Sequence, residues 1–166
     1  MSDPGYVTDP LVDAEDAFEY IGRGRPTPED GITQDDEWMT QLRKACKYLE
    51  ACRTLRSQDG FYGAVIELSF GAIERSLEGY LLRDTKDSID EYLDHEYVYE
   101  RAGERGLFTR ETAGKLMDLY GANRTEHYYG TLAPTREKAD AMLELAEGVH
   151  RHVVTLIGDN GVCICD

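Results

Sequence analysis

The sequence lacks the features that mark membrane-spanning proteins and several large enzyme classes. No apolar run approaches the roughly 20 residues that a membrane-spanning helix needs. The first five residues contain no basic region, and no apolar run follows them, so nothing there resembles a secretory signal peptide. The chain also has no G-x-S-x-G elbow, no P-loop, no H-E-x-x-H and no glycine-rich dinucleotide turn. We therefore expect a cytoplasmic protein that has no membrane span and uses none of these chemistries.

Lysine is scarce, whereas acidic residues are abundant. The 166 residues include 33 acidic and 18 basic side chains, only five of which are lysine, and the formal net charge is −15. An acidic, lysine-poor surface is typical of a high-salt cytoplasm and predicts a halophilic, archaeal source. In dilute buffer this charge would argue against nucleic acid as a partner. In 1 M salt the Debye length is only about 3 Å, so the argument loses its force.

No stretch shows the alternation of a half-buried strand, and no repeat of solenoid length is present. Apolar residues recur instead at helical spacing, and hydrophobic residues make up 41% of the chain, enough for one domain with a core. The predicted fold is all-α, an up-and-down bundle of four to five helices. The predicted divisions are an acidic N-terminal extension with one short helix (1–35), the bundle (36–158) and a C-terminal tail (159–166).

Local signals place most of the helix boundaries. Asp9-Pro10 predicts the start of the short first helix, after a disordered start at residues 1–8, and Thr33-Gln34-Asp35-Asp36 resembles a capping box before the next helix. Thr109 and Thr135 are predicted caps of two later helices, and Gly158 ends the last one. Residues 62–81 carry the widest apolar stripe, and Gly71 would allow a neighbouring helix to approach, so this segment is the predicted central helix. Residues 87–94 are predicted to form a shorter helical piece, after which Tyr97, Val98 and Tyr99 lead through a turn to Gly106.

The four cysteines are not spaced as a zinc motif. Cys46 and Cys52 fall in a helical pattern and are predicted to be small buried side chains. Cys163 and Cys165 form a lone C-x-C with no second pair at zinc-site spacing, which predicts a tail without a metal. The segment His150-Arg151-His152 places two histidines two residues apart, so on a helix they point in different directions.

Asn123-Arg124-Thr125-Glu126-His127-Tyr128-Tyr129-Gly130 concentrates chemically capable side chains between two predicted helices. If the stretch is α-helical, Arg124 and His127 lie three residues apart on one face and act on one substrate group. A guanidinium binds phosphate through two hydrogen bonds, and a histidine transfers a proton near neutral pH. That pair suits metal-free phosphodiester chemistry on RNA. In the structural alternative, Arg124 pairs with Glu126 or a neighbouring helix, and His127 packs with the tyrosines at a helix start.

From residue 61 to about residue 157 the chain resembles the HEPN superfamily of small helical domains. The resemblance rests on the small-residue-rich helix from Phe61 to Ala72, on the Arg/His/Tyr cluster that follows a further helix, and on the Thr135-Arg136-Glu137-Lys138-Ala139 start of the last helix. Many members of that superfamily are metal-independent endoribonucleases, often toxins paired with a nucleotidyltransferase partner. Others are inactive versions that bind nucleotides or partners.

The resemblance implies roles for individual residues. His127 would be the general acid and base, Arg124 would stabilise the phosphate and Tyr129 would support them, while Asn123 and Tyr128 would bind substrate. No metal and no cofactor are expected.

The motif departs from the family pattern at one position. The family arginine would fall on Ala122, and Arg124 is separated from His127 by two residues, where four to six are typical. Two functions therefore stay open: a toxin-type RNA endonuclease, or an inactive module working with a nucleotidyltransferase. The family further implies a homodimer with its clusters facing one cleft, and a Tyr129 that the partner could modify with AMP.

Overall fold

The computed structural model describes residues 3–19, 27–32, 36–158 and 163–165. All regular secondary structure in these ranges is helical, which confirms the predicted all-α class. A 3-10 turn (Ile89–Leu93) precedes the fourth α-helix and a π-helical turn (Arg124–Tyr128) follows the fifth. The six α-helices are α1 (Gly5–Glu19), α2 (Glu37–Arg56), α3 (Tyr62–Asp84), α4 (His95–Glu104), α5 (Arg110–Asn123) and α6 (Arg136–Ile157).

Helix α1 belongs to the first of two compact units, residues 1–30, and α2 to α6 belong to the second, residues 31–166. It begins at Gly5, so the predicted disorder of residues 5–8 is wrong, and Pro10 lies inside the helix instead of in its first turn. The carbonyl of Pro4 accepts hydrogen bonds from the backbone N–H groups of Val7 and Thr8, at 2.9 and 3.2 Å. These bonds close the first helical turn before Asp9-Pro10, where the helix was predicted to begin. None of the residues of α1 is buried.

Helix α3 is the central helix, as its apolar stripe predicted. It packs against α2, α6 and α4. A Cβ added at Gly79 would lie 2.7 Å from Cγ of Leu42, and one at Gly71 would lie 2.9 Å from Cε2 of Tyr48. Both contact residues belong to α2, so the two glycines allow α2 to approach α3 closely, as predicted for Gly71.

Helix α4 was not predicted. The short helical piece predicted at residues 87–94 is the 3-10 turn Ile89–Leu93, and α4 lies where the chain was predicted to lead through a turn to Gly106. The side chain of Asp94 accepts a hydrogen bond from the backbone N–H of Glu96 at 3.0 Å and caps the helix. The helix has only ten residues, and it buries Val98, Tyr99 and Ala102. Three buried positions in so short a helix give only a weak periodic signal in the sequence. The helix is stabilised mainly by the tertiary packing of these positions, as is usual in proteins.

The caps of α5 and α6 confirm the sequence signals. Thr109 and Thr135 accept hydrogen bonds from backbone N–H groups in the first turns of their helices, and Gly158 ends α6 with a φ of 72°. Of the predicted capping box, residues 33–35 lie outside the described ranges, and Asp36 precedes α2 without a capping side-chain bond. Within the described ranges, no helix combines the length and the apolar character needed to cross a bilayer.

Two carboxylates of α3 are buried. Glu74 accepts hydrogen bonds from Tyr99 Oη at 3.2 Å and from His95 Nδ1 at 2.7 Å, and Glu78 accepts one from Arg75 Nη1 at 2.6 Å. The Glu78 side chain is 2% exposed, and burial raises its pKa from 4.5 to about 7 although Arg75 acts in the opposite direction. Burial likewise raises the pKa of Glu74.

Candidate functional site

The stretch predicted to carry the activity forms the π-helical turn. The backbone N–H of Tyr129 donates to the carbonyl of Arg124 at 3.0 Å, a five-residue spacing in place of the four of an α-helix. The wider turn carries His127 away from the face on which α-helical spacing would place it beside Arg124. The two side chains line different clefts, so the structure does not bring together the pair on which the catalytic hypothesis rests.

Tyrosine rings surround the Arg124 guanidinium. Its Cζ lies 4.7 Å from the ring centre of Tyr128, 5.1 Å from that of Tyr129 and 5.9 Å from that of Tyr120. Its Nη2 also donates to Tyr129 Oη at 3.0 Å. Tyr128 and Tyr129 are themselves exposed, at 57% and 72%. The structural alternative named Glu126 or a neighbouring helix as the partner of Arg124, whereas these contacts hold the guanidinium against tyrosines of α5 and of its own turn through cation–π contacts.

The cleft beside Arg124 is acidic. It measures about 380 Å³, and its walls include Asp94, His95 and Glu96. His95 is held by Glu74, and its ring stacks on that of Tyr120 at 5.6 Å. Carboxylates beside the guanidinium oppose the approach of a phosphate, because like charges repel.

His127 lines a second, mostly apolar cleft of about 280 Å³, here called the His127 cleft. Its walls come from α3, α5, the π-helical turn and α6. Its lining includes a small set of polar residues, and the remainder of the lining is apolar. The polar set is Asn123, Glu126, His127 and Lys138, and the apolar set is Ile66, Phe70, Leu119, Ala122, Ala141, Met142 and Leu145.

The polar residues of this cleft carry unused hydrogen-bonding groups. Lys138 Nζ lies 2.9 Å from His127 Nε2, which makes Nε2 the acceptor and places the ring proton on Nδ1. Nδ1 is buried without a partner among the described residues. Asn123 is 6% exposed and donates from Nδ2 to Glu67 Oε1 at 2.9 Å, while its Oδ1 also has no partner there. Two residues that line one cleft thus each carry a buried polar atom without a partner among the described residues.

A second cluster assembles three cysteines and one histidine. Cys46 of α2, His150 of α6, and Cys163 and Cys165 of the C-terminal segment place their ligand atoms within 4.8 Å of one another. All four cysteines are free thiols. The sequence predicted an isolated C-x-C tail, but Cys163 and Cys165 are half-buried and pack against the core. The signal was missed because Cys46 and His150 are 104 residues apart, so no local spacing joins them.

Hydrogen bonds fix the state of the His150 ring. Ser76 Oγ donates its only proton to the carbonyl of Ala72 at 2.7 Å, so it accepts from His150 Nδ1 at 2.9 Å. Nε2 then faces the three sulfurs. Burial acts to lower the pKa of His150, but hydrogen bonding with Cys163 and Cys46 outweighs it and raises that pKa to about 9. Hydrogen bonds from Cys165 and Cys46 lower the pKa of the Cys163 thiol.

The comparison with protein families assigns the chain. A family model described as a domain of unknown function (DUF8154) matches residues 2–165. The chain belongs to the DUF8154 family. No curated protein matches it, and no solved structure does. Both the His127 cleft and the Cys/His cluster lie within the matched residues of this DUF8154 chain.

Sequence reasoning missed several residues of these sites. Lys138 was noted only as part of a helix start, and its position beside His127 depends on how α6 packs against α3. Ser76 carries no signal in the sequence, because its role follows from one contact with a histidine 74 residues away. The available signal for the cluster was the C-x-C itself, together with the core-facing positions of Cys46 and His150 on their helices.

Proposed function

We propose that this DUF8154 chain is a HEPN-like binding module that takes a nucleotide-like ligand, with an aromatic body and an anionic group, into the His127 cleft. The observation that carries the proposal is the mostly apolar cleft with unpaired buried groups on Asn123 and His127. Small-molecule sites have this form, since apolar walls bury the ligand and a few polar groups orient it.

The apolar walls suit the body of the ligand. Phe70, Met142 and Leu145 belong to α3 and α6, two helices packed against each other, so the cleft has a rigid base. Its volume of about 280 Å³ lies near the lower limit of small-molecule sites. A planar base or another small aromatic group fits walls of this kind and size.

The polar residues suit the remainder of the ligand. Lys138 supplies a positive charge for an anionic group. The Nδ1–H of His127 and the Oδ1 of Asn123 are buried in the free protein, and a turn of the two side chains on binding would offer them as a donor and an acceptor to the ligand. Pairing them would satisfy two buried groups, each of which costs about 1–3 kcal/mol when left unpaired.

Binding of AMP and ATP to the full chain in 1 M KCl tests this proposal. Lys138→Ala and His127→Ala should each weaken AMP binding about tenfold or more, because a hydrogen bond to a charged group contributes about 1.5–3 kcal/mol. Arg124→Ala is the matched control, since Arg124 lines the other cleft. Equal loss of affinity in Arg124→Ala, or no binding of either nucleotide by the folded protein, would contradict the proposal.

A metal-independent RNA endonuclease is the second candidate, and the contact between His127 and Lys138 favours it. Lys138 would then stabilise the phosphate in place of Arg124, with His127 as general acid and base. The homodimer and the nucleotidyltransferase partner implied by the HEPN resemblance belong to this proposal as well, with Tyr129 as the exposed residue open to modification.

Cleavage of RNA separates the two functions. Purified wild type would be incubated with RNA in molar KCl without added divalent metal, and the product ends would be analysed. Under the binding proposal the folded protein leaves the RNA intact. Cleavage that leaves cyclic phosphate ends, and that is lost in His127→Ala and Lys138→Ala but kept in Arg124→Ala, would establish the second candidate instead.

A further inference from the structure

The geometry points to a zinc site: we propose that Cys46, His150, Cys163 and Cys165 together bind one Zn²⁺. This site is independent of the His127 cleft. Three cysteines and one histidine form one of the usual ligand sets of structural zinc sites, which hold the ion with four protein ligands and no open position.

The distances between the ligand atoms fit a tetrahedron around zinc. With Zn–S near 2.3 Å and Zn–N near 2.0–2.1 Å, two sulfurs lie about 3.8 Å apart and a sulfur and a nitrogen about 3.6 Å apart. In the cluster, Cys46 Sγ and Cys163 Sγ are 3.2 Å apart, and His150 Nε2 lies 3.2–3.4 Å from the three sulfurs. These distances are a few tenths of an ångström shorter than the ideal edges, and all pairs fall within 4.8 Å, so small side-chain movements would place the four atoms around one ion.

The histidine is oriented as a metal ligand requires. Its Nδ1–H is held by Ser76, so Nε2 faces the sulfurs and can bind the ion once it has lost any proton. Metal-bound histidines almost always donate their other ring N–H to a protein group in this manner. Both His150 (4% exposed) and Cys46 (2% exposed) are buried, so two of the four ligands are fixed by the packing of α6 and α2.

A disulfide explains the cluster less well than a metal. A disulfide would use only two of the three sulfurs. The S–S bond of a disulfide is about 2.0 Å long, whereas Cys46 Sγ and Cys163 Sγ are 3.2 Å apart and all the cysteines are free. A disulfide would also leave His150 Nε2 beside two oxidised sulfurs, which carry no proton to donate and no charge to balance. A zinc ion uses all four groups at once, and its binding releases the protons that they carry.

The proposed role of the ion is structural, since the ligand set leaves no position for a substrate. The ion would join α2 and α6 to the C-terminal segment 163–165. Ile164 lies between the two cysteine ligands, and its side chain packs against the backbone of Gly31. A Cβ added at Gly31 would lie only 2.8 Å from Ile164 Cδ1, so a larger residue would not fit there without a shift. The segment is therefore held by an apolar contact on one side and, in this proposal, by the metal on the other.

Metal analysis of the full chain, without a histidine tag, tests the site. After dialysis against metal-free buffer, wild type and the control variant Cys52→Ala should retain about one zinc per chain, and Cys163→Ser should retain almost none. Cys52 is suitable as the control because it is the one cysteine outside the cluster and lies buried next to Val65 and Ser69. A different metal, held in the same ratio, would overturn the zinc assignment.

Cobalt binding by wild type gives a second readout that needs no variant to fold. Titration of the metal-free protein with Co²⁺ should produce the intense visible bands of a tetrahedral, thiolate-bound ion. Absence of those bands, or a Cys46–Cys163 disulfide found by mass spectrometry in protein purified with protection from air, would overturn the proposal.

Ser76→Ala tests the orientation of the ring. The four ligands remain, but the hydrogen bond to Nδ1 is lost, so zinc affinity measured by chelator competition should fall about 10–100-fold. Unchanged affinity would contradict the inferred role of Ser76 and the ring orientation on which the site depends. AMP binding in this variant should be unchanged, so failure of the zinc site and failure of the His127 cleft are distinguishable.

Discussion

Replacing the buried Glu78 by glutamine should remove a pH dependence of stability. Glu78 is buried in α3, and Arg75 donates to it at 2.6 Å. Burial penalises the charged carboxylate, so the folded protein binds the Glu78 proton more tightly than the unfolded chain does. Stability from this group is therefore fully present below pH 4.5 and is lost as the pH rises through about 7.

The size of the effect follows from the two pKa values. Between 4.5 and about 7 the full shift corresponds to about 3 kcal/mol at 1.36 kcal/mol per pKa unit. Most of it, about 2–3 kcal/mol, develops between pH 5 and pH 8 according to the linkage relation. Glutamine keeps an acceptor oxygen for Arg75 and has no proton to lose, so the Glu78→Gln variant should lack this contribution.

Urea unfolding at constant high salt measures the effect. From pH 5 to pH 8 the free energy of unfolding of wild type should fall by about 2–3 kcal/mol relative to that of Glu78→Gln. Glu111→Gln serves as the control, because its side chain is 77% exposed and its surface pair with Lys115 contributes at most about 1 kcal/mol. Parallel pH profiles for wild type and Glu78→Gln would refute the reasoning.

Two further predictions concern packing and charge. Gly79→Ala should lower the free energy of unfolding by about 1–3 kcal/mol, because its Cβ would meet Leu42 and the carbonyl of Trp38 at 2.7 and 2.9 Å. Gly114→Ala, where a Cβ would meet nothing within 4 Å, should raise it by about 0.5–1 kcal/mol; equal urea midpoints in the two variants would contradict the close approach of α2. The thermal unfolding midpoint of wild type should rise between 0.1 and 1 M KCl, because the Debye length falls from about 10 to about 3 Å and screens the charge of −15. A constant or falling midpoint would speak against a high-salt protein.

Features set by neighbouring residues could be predicted from the sequence. The caps at Thr109 and Thr135 and the left-handed Gly158 each depend on bonds or a backbone angle within one turn. Helix α3 was predictable because its apolar stripe is long. The start of α1 was misplaced at Asp9-Pro10, because the bonds that begin the helix earlier are backbone bonds to the Pro4 carbonyl and carry no side-chain signal.

Features that depend on distant residues could not be predicted. The contact of His127 with Lys138 crosses from the π-helical turn to α6, and the bond of Asn123 with Glu67 joins residues 56 positions apart. The Cys46–Cys163 contact spans 117 positions. A sequence motif relates only residues that are close along the chain, whereas these contacts form only after α2, α3 and α6 have packed.

The π-helical turn also makes the candidate site sensitive to chain length. An α-helix needs one residue fewer per hydrogen-bonded turn than a π-helix does, so deleting one residue between Arg124 and Tyr129 would let the segment close α-helical bonds. The side chains of the turn that follow the deletion would rotate by about 100° around the helix axis. DUF8154 members that are one residue shorter here would therefore present a different side chain to the His127 cleft, and a length difference at this turn would distinguish them from this chain more sharply than a substitution.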